Sequence, residues 1–122
     1  MTLAELEAKT KEELVDLAKG LGLPGPQALR KQDLAYRVLQ AQTEHQGNIF
    51  VAGVLETMSE GYGFLRQQTL LPSNADVYVS QSQIRRFGLR SGDMVSGQVR
   101  SPKEGEKYFG LLRVEAVNGV DP

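Results

Sequence analysis

Residues 61–66 read GYGFLR, a short run in which two aromatic residues alternate with glycine and leucine and an arginine closes the run. Successive side chains of a β-strand point to opposite faces. If this run is a strand, Tyr62, Phe64 and Arg66 share one face and Leu65 lies on the other. The run therefore predicts a strand with an aliphatic inner face and an aromatic, charged outer face.

A second run, DVYVS, begins at Asp76 and has the same alternation. Val77 and Val79 fall on one face, and Asp76 and Tyr78 fall on the other. Together with Leu65, the two valines would make a sensible barrel interior. The opposite face would gather three aromatic rings, a cation and an anion, which make a poor hydrophobic core.

Five β-leaning runs follow one another from residue 50, and turn-rich stretches separate them. A helical segment, SQSQIRRFGL, lies between the third and fourth runs and is predicted to stop at Gly88. This order predicts a small closed barrel, for which the OB fold is the commonest design. The runs are FVAGVLE (50–56), GYGFLR (61–66), DVYVS (76–80), MVSGQVR (94–100) and YFGLLRVEAV (108–117), and the turns include MSEG (58–61), LLPSNA (70–75) and SPKEGEK (101–107).

The chain begins with helical patterns instead. Thr2 with Glu5 and Thr10 with Glu13 fit the capping box, in which a hydroxyl and a carboxylate each bind a backbone N–H that lacks a helical partner. Two helix starts are therefore predicted. Glycines and prolines in the range 20–26 end the second helix.

A longer helix is predicted from near Arg30 to before Gly47, with Leu34, Val38 and Tyr36 on its buried side. The predicted fold class is α+β, with a small N-terminal helical bundle followed by a five-stranded β-barrel of the OB, cold-shock-like type. The expected domains are a helical subdomain at 1–47 and an OB-fold domain at 48–119, and residues 120–122 are expected to begin a linker to a further domain.

The outer aromatic face is suited to unpaired nucleobases, because an exposed ring stacks on a base for roughly 1–3 kcal/mol. Gly61 and Gly63 are expected to leave room between the rings for a base to approach. EGYGFLRQ also approximates the RNP1 pattern, except that Glu60 replaces its Lys or Arg. In the alternative interpretation, Tyr62 and Phe64 are core aromatics and the glycines mark bulges.

Composition narrows the function classes. The 122 residues carry a formal net charge of -1, so the chain lacks the basic excess of a phosphate-driven binder, and the bases would have to supply much of the affinity. There is no cysteine, and the single histidine, His45, has no partners at ligand spacing, so we predict no metal site. Neither a phosphate-binding loop nor a catalytic set of side chains is present, so we predict no catalytic residue and no cofactor in this segment.

The amino-terminal residues have neither the basic nor the apolar region of a secretory signal. No apolar run approaches the length of a membrane span. A cytoplasmic location with no membrane partner is therefore expected.

Several stretches together carry a family resemblance. RKQDLAYRVL, GVLE, GYGFLR, DVYVSQSQIRRFGLRSGD and SPKEGEKYFGLLRVEAVN closely resemble the N-terminal RNA-binding region of the bacterial transcription termination factor Rho. The resemblance runs from about Leu3 to Asn118, and YVSQSQIRRFGLRSGD is its most specific part. A cold-shock domain has similar aromatic strands, but it would carry neither the helical leader nor SQIRRF.

The resemblance implies that the OB fold is a primary RNA site that captures single-stranded, cytosine-rich transcript. It further implies that a RecA-like ATPase, with ATP and Mg, follows this region in the whole protein. Six subunits would form a ring that translocates on RNA and acts on RNA polymerase.

Carried over residue by residue, the resemblance assigns RNA contacts to three segments. The rings of GYGFLR would stack on bases, the ring of DVYVS would form a base pocket with Glu106 and Tyr108, and Arg66 and Asp76 would read the base edge. The implied RNA-binding residues are Gly61, Tyr62, Gly63, Phe64, Leu65, Arg66, Asp76, Val77, Tyr78, Glu106, Lys107 and Tyr108.

The chemistry of these side chains is consistent with a cytosine preference. A carboxylate accepts a hydrogen bond from the cytosine amine, and a guanidinium donates to the ring acceptors, whereas uracil would turn a carbonyl toward Asp76. From the residues alone, the alternative for Arg66 and Asp76 is a surface ion pair of little energetic value. Arg100, Lys103 and Lys107 would either contact phosphates or be solvated charges on a hairpin.

Other functions stay open at this point. The aromatic face could dock a partner protein, or the barrel could be a general cold-shock-like binder of single-stranded nucleic acid. An enzyme contained within these residues would need a catalytic constellation that the sequence does not offer.

Overall fold

The computed structural model describes residues 1–67 and 76–122, and it separates into two compact units. The first unit comprises Met1–Asn48 with Asp121, and the second comprises Ile49–Val120 with Pro122. Helices make up the first unit, and the second contains a closed five-stranded barrel with one short helix. The predicted fold class, a small helical bundle followed by a five-stranded barrel, is confirmed.

The helical unit begins with the two capping boxes that the sequence predicted. The Thr2 hydroxyl accepts from the backbone N–H of Glu5 at 3.2 Å, and the Glu5 carboxylate accepts from the backbone N–H of Thr2 at 3.1 Å. Thr10 and Glu13 repeat this arrangement, with both bonds at 3.1 Å. The elements are α1 (Leu3–Glu7), α2 (Lys11–Gly20), a single 3₁₀ turn (Pro26–Ala28) and α3 (Lys31–His45).

An aliphatic core holds this unit together. The longest helix, α3, packs against α1 and α2 and buries Leu34 and Val38 as predicted, whereas Tyr36 is only half-buried. Leu6 and Leu14 contribute the facing apolar side chains from α1 and α2. Within the described ranges, no helix has both the length and the apolar character that crossing a bilayer requires.

Five strands form the barrel of the second unit, and α4 lies between the third and fourth strands. Its elements are β1 (Ile49–Thr57), β2 (Gly63–Gln67), β3 (Val77–Val79), α4 (Gln81–Phe87), β4 (Met94–Arg100) and β5 (Phe109–Val117). The strand order is β1-β2-β3-β5-β4, closed by pairing of β4 with β1. All pairs are antiparallel except β3 with β5, which is parallel.

The strand bounds follow the predicted runs closely. The fourth run matches β4 residue for residue, and the other runs differ from their strands by one or two positions at an end. Tyr62 and Tyr108 each lie one residue before a strand instead of inside it. The predicted LLPSNA turn, residues 70–75, lies outside the described residues.

The barrel interior is aliphatic. Leu65, Val77 and Val79 have no solvent exposure and pack with Leu55 and Val95, which confirms the predicted inner face. Because side chains alternate along β2 and β3, the residues between these interior positions point away from the core. This alternation leaves Phe64 and Tyr78 on the outside of the barrel wall.

The short helix α4 is tied to the barrel at its start and ends at a glycine. Ser80 and Gln83 form a capping box at its start, and the Gln83 side-chain amide also donates to the carbonyl oxygen of Leu111 on β5 at 2.9 Å. Gly88 adopts a left-handed conformation, with φ of 59°, and ends the helix where the sequence predicted.

Candidate functional site

Four aromatic side chains cluster on one side of the barrel: Tyr62, Phe64, Tyr78 and Tyr108, referred to below as the aromatic face. The centroid of the Phe64 ring lies 5.8 Å from that of Tyr62, 6.1 Å from that of Tyr78 and 4.8 Å from that of Tyr108. Phe64 meets each of these rings edge to face, an arrangement in which such pairs attract. Phe64 is therefore the centre of a continuous aromatic surface.

The aromatic face is open to solvent. Tyr78 is 39% exposed and Tyr108 is 42% exposed, while Tyr62 and Phe64 are half-buried. These rings are not part of the barrel core, so the interpretation of Tyr62 and Phe64 as core aromatics is wrong. Part of each ring is therefore exposed at the surface of the barrel.

Strand register brings the rings together. Phe64 on β2 is paired directly with Tyr78 on β3, so their side chains emerge side by side. The parallel pairing of β3 with β5 sets Phe109 beside Val77, both pointing inward. Tyr108 precedes Phe109 and therefore points outward, toward Phe64.

Arg66 lies at one edge of the aromatic face and binds two carboxylates. Its Nε donates to Glu56 Oε2 at 3.2 Å, and its Nη1 donates to Asp76 Oδ2. The guanidinium carbon lies 5.4 Å from the centroid of the Phe64 ring, within cation–π range. The hydrogen bond to Glu56, reinforced by both negative charges, raises the pKa of the Arg66 guanidinium above its ordinary value.

Glu106 lies at the other edge and is held by Arg100. The two guanidinium Nη groups of Arg100 donate to the two Glu106 oxygens at 2.7 and 3.0 Å, a bidentate pair. The backbone N–H of Lys103 donates to Glu106 Oε1 at 2.9 Å. These bonds lower the pKa of Glu106 to about 2, so this carboxylate is ionised at neutral pH.

A surface cavity of about 270 Å³ lies beside this second pair. The exposed rings of Tyr78 and Tyr108 contribute to its lining, together with the charged pair. Its lining residues are Tyr78, Arg100, Glu106, Lys107, Tyr108 and Gly110. The structure thus brings together Tyr78, Glu106 and Tyr108, the three residues that the resemblance assigned to one base pocket.

The two glycines of GYGFLR have a different role from the predicted one. A side chain at Gly63 would meet Glu56 O at 2.8 Å and Leu55 Cδ1 at 2.9 Å, inside the barrel wall. The prediction that Gly63 makes space for a base is therefore wrong, because the space is filled by β1. Gly61 has φ of 99° and lies against the Gln81 side chain, so a turn and close packing both require glycine there.

The remaining predicted site residues divide by exposure. Leu65 and Val77 have fully buried side chains, so only their backbone could face a ligand. Lys107 is exposed and lines the cavity. Arg100, for which the sequence left phosphate contact or a solvated charge open, is neither free nor fully solvated, because Glu106 holds both of its Nη groups.

The sequence interpretation missed two features of the site. Glu56 was not considered, although it lies opposite Phe64 in the β1–β2 register and diagonal to Arg66. The fixing of Glu106 by Arg100 was also missed. Both depend on which residues face each other across strands, and only an assumed register of the hairpins could have predicted them.

Metal ligands are not grouped in the part of the chain that the structure describes. There, no three His, Cys, Asp or Glu side chains lie close enough together to hold an ion. The carboxylates at the site are instead engaged with arginines.

Comparison with known proteins identifies two family models along the chain. The model described as "Rho termination factor, N-terminal domain" matches residues 5–47, and the model described as "Rho termination factor, RNA-binding domain" matches residues 51–122. The chain therefore belongs to the Rho termination factor family.

Curated relatives agree with this assignment. Proteins named transcription termination factor Rho are 50% identical in Thermotoga maritima, over 97% of this chain, and 49% identical in Bacillus subtilis, over all of it. The Escherichia coli K12 protein of that name is 46% identical over the full chain. The chain spans only 28% to 30% of the length of these relatives.

Proposed function

We propose that the barrel binds single-stranded, cytosine-rich RNA, as the primary RNA site of a Rho-type transcription termination factor. The observation that carries the proposal is the solvent-open aromatic face with an arginine–carboxylate pair at each edge. The family description, an RNA-binding domain, and the names of the relatives support the same function.

Stacking would supply most of the affinity. Each base that stacks on an exposed ring contributes roughly 1–3 kcal/mol, and the contribution is similar for all bases because every base has a π-face. Tyr62 and Phe64 present adjacent rings for consecutive bases, and Tyr78 and Tyr108 line the neighbouring cavity. The formal net charge of -1 fits a binder that gains little from phosphate contacts.

Hydrogen bonds at the base edge would supply the preference for cytosine. Among the described residues, Arg66 donates to one oxygen of Asp76, Oδ2, so that Oδ1 can accept from the amine of a cytosine. The guanidinium of Arg66 has further N–H groups that can donate to the ring acceptors of the same base. Uracil would place a carbonyl against the Asp76 carboxylate, and the two acceptors would repel each other.

The cavity beside Tyr78 suits a single base. Its volume of about 270 Å³ is somewhat smaller than that of a drug-sized ligand pocket. The ionised Glu106 offers an acceptor at the cavity wall, and Lys107 offers a cation for a phosphate. The backbones of Gly61, Gly63, Leu65 and Val77 complete the proposed contact segments.

We extend the proposal to a longer protein of the same family. We propose that residues 1–47 are a helical subdomain, that 48–119 are the RNA-binding OB fold, and that 120–122 begin a linker to an ATPase domain. The longer protein would be a cytoplasmic homohexamer that uses ATP and Mg to move along RNA and acts on RNA polymerase. Within the described residues no three His, Cys, Asp or Glu side chains are grouped to hold an ion, and the proposed capture of RNA uses neither ATP nor Mg.

Binding of short RNAs tests the proposal. The affinities of the chain for oligo(C), oligo(U) and a duplex of the same length are measured at one salt concentration. We expect oligo(C) to bind most tightly and the duplex least, because paired bases cannot stack on the aromatic face. Equal affinity for oligo(C) and the duplex would contradict the proposal.

Tyrosine fluorescence separates RNA binding from the alternative functions. The chain has no tryptophan, and three of its four tyrosines lie on the aromatic face. Base stacking on that face should quench the emission as oligo(C) is added. An unchanged emission would favour a protein-docking surface, and equal quenching by oligo(C) and oligo(U) would favour a general single-strand binder.

A further inference from the structure

We infer that Glu56 is a positioning residue that sets the cytosine preference of the site by holding Arg66 at its Nε edge. This inference rests on the proposed function. Glu56 belongs to β1, which carries none of the residues that the sequence or the family resemblance assigns to RNA. Its place at the site follows from its contact with Arg66.

The β-sheet register makes this contact possible. Glu56 is paired with Phe64 across β1 and β2, and Arg66 is paired with Val54. Glu56 and Arg66 are therefore diagonal neighbours on the outer face, a separation that long side chains can bridge. The 3.2 Å bond from Arg66 Nε to Glu56 Oε2 closes this diagonal beside the Phe64 ring.

Because Glu56 binds Arg66 through Nε, the other N–H groups of the guanidinium determine what Arg66 can offer to a ligand. With Nε bound to Glu56 and one Nη1 proton directed to Asp76, the Nη2 group has no hydrogen-bond acceptor within residues 1–67 and 76–122. As far as the described residues are concerned, the Nη2 donors and Asp76 Oδ1 can then lie side by side at the edge of the aromatic face and bind a ligand. A cytosine edge presents an amine beside ring acceptors, which is the complement of that arrangement.

Without Glu56, the guanidinium would turn toward its other carboxylate. Arginine forms bidentate pairs with a single carboxylate readily, because its fork matches the two oxygens. A bidentate pair with Asp76 would occupy both Asp76 oxygens and two Arg66 donors, which removes the acceptor and the donors that a cytosine needs. Glu56 would thus keep the pair open, although its own side chain does not touch the base.

Charge alone predicts the opposite effect. Glu56 is an exposed anion, and loss of an anion near a polyanionic ligand should tighten RNA binding slightly, for every sequence alike. A positioning role predicts weaker binding of oligo(C) and a smaller difference between oligo(C) and oligo(U). The sign of the change therefore separates the two explanations.

The experiment measures oligo(C) and oligo(U) affinities for the wild-type chain and for Glu56→Ala, Glu56→Gln and Glu104→Ala. Glu104 is an exposed acid in the β4–β5 connection and serves as the charge-matched control. We expect Glu56→Ala to lose about fivefold in oligo(C) affinity and to narrow the preference for oligo(C) over oligo(U), in line with the loss of one exposed ion pair. Glu56→Gln keeps an acceptor for Nε and should restore most of the preference.

The possible outcomes separate the role of Glu56 from the proposed function. If the wild type prefers oligo(C) but Glu56→Ala behaves like Glu104→Ala, or if Glu56→Gln fails to restore the preference, the role of Glu56 is overturned while the proposed function stands. If the wild type shows no preference for oligo(C), both the proposed cytosine site and the proposed role of Glu56 are contradicted. Because the Glu56 side chain is 56% exposed, its variants should keep the thermal midpoint of the wild type.

Discussion

Each edge of the aromatic face carries an arginine that binds a carboxylate. The two edges differ in how the arginine distributes its hydrogen bonds. At one edge, Arg100 gives both Nη groups to Glu106 in a closed bidentate pair. At the other edge, Arg66 divides its donors between Glu56 and Asp76. We infer that the closed pair braces the chain after β4, whereas the divided pair keeps hydrogen-bonding groups available for a ligand.

The other contacts of each pair agree with these two roles. Glu106 also accepts from the N–H of Lys103, so the closed pair fixes the turn that precedes Tyr108. Arg66 instead divides its bonds between side chains and lies over the ring of Phe64. We therefore expect changes at the closed pair to alter affinity for all RNAs, and changes at the divided pair to alter the choice of base.

Loss of the central ring should have the largest effect, because Phe64 contacts all three other rings and lies between the two edges. We expect Phe64→Ala to weaken oligo(C) binding by roughly 1–3 kcal/mol, the value of one stacked base. Phe64→Leu, which keeps apolar bulk without a ring, should lose nearly as much. Filter or fluorescence binding measures both variants.

The control for this prediction is Leu112→Ala on β5, since Leu112 is 57% exposed and does not belong to the aromatic face. Its oligo(C) affinity should equal that of the wild type. Phe64→Leu with unchanged affinity and an unchanged thermal midpoint would rule out stacking at this position.

Neutralisation of a single carboxylate should separate the two edges. We expect Asp76→Asn to reduce the ratio of oligo(C) to oligo(U) affinity about tenfold, which corresponds to the lower end of the roughly 1.5–3 kcal/mol that a charge-assisted hydrogen bond to the amine is worth. The matched variant Glu106→Gln should leave the ratio close to that of the wild type. Competition binding with the two oligomers gives the ratio directly, and equal ratios in both variants would mean that the edges do not differ.

Removal of the bracing arginine should give a smaller effect. We expect Arg100→Met to weaken oligo(C) and oligo(U) alike, by about twofold to fivefold, because an exposed ion pair contributes at most ~1 kcal/mol. The preference for cytosine should persist. Isothermal titration with both oligomers measures the change, and a loss of preference in Arg100→Met would place base selection at the closed pair instead.

We expect the smallest effect in the acid titration of the Glu106 carboxylate. The pKa of Glu106 is lowered from 4.5 to about 2, so the stabilisation from its ionised form is complete above pH 4.5 and is lost as the pH falls toward 2. The backbone N–H of Lys103 donates to Glu106, so the NMR chemical shift of this N–H should report the titration of the Glu106 carboxylate. A wild-type midpoint near 4.5 would contradict the closed pair, and Arg100→Met should move the midpoint upward.

Local patterns predicted the elements of both units well. Capping boxes at Thr2 and Thr10 depend on residues three apart, and the stop at Gly88 depends on one residue, so each is readable from a few positions. Alternation placed Leu65 inside and Phe64 outside, because a strand has only two faces. The fold followed from such short-range rules and from the order of the five runs.

Relations across strands were harder to predict. The parallel pairing of β3 with β5 brings Tyr108 to Phe64, and no local pattern in the chain specifies the register of that pairing. The same lack of register hid Glu56, which is ten positions from Arg66 along the chain. The prediction for Gly63 was wrong for the same reason. The absence of a side chain at Gly63 lets β1 pack closely against it, and this contact is also one between strands.

NMR is the most direct measurement of contact between the rings of the aromatic face and unpaired cytosine. The chain is labelled in the aromatic rings of Phe and Tyr and titrated with a short oligo(C). We expect the ring signals of Phe64, Tyr78 and Tyr108 to shift upfield and to show intermolecular NOEs to the cytosine H5 and H6 protons. Saturated RNA binding that leaves these ring signals unshifted and without NOEs would contradict recognition of bases by the aromatic face.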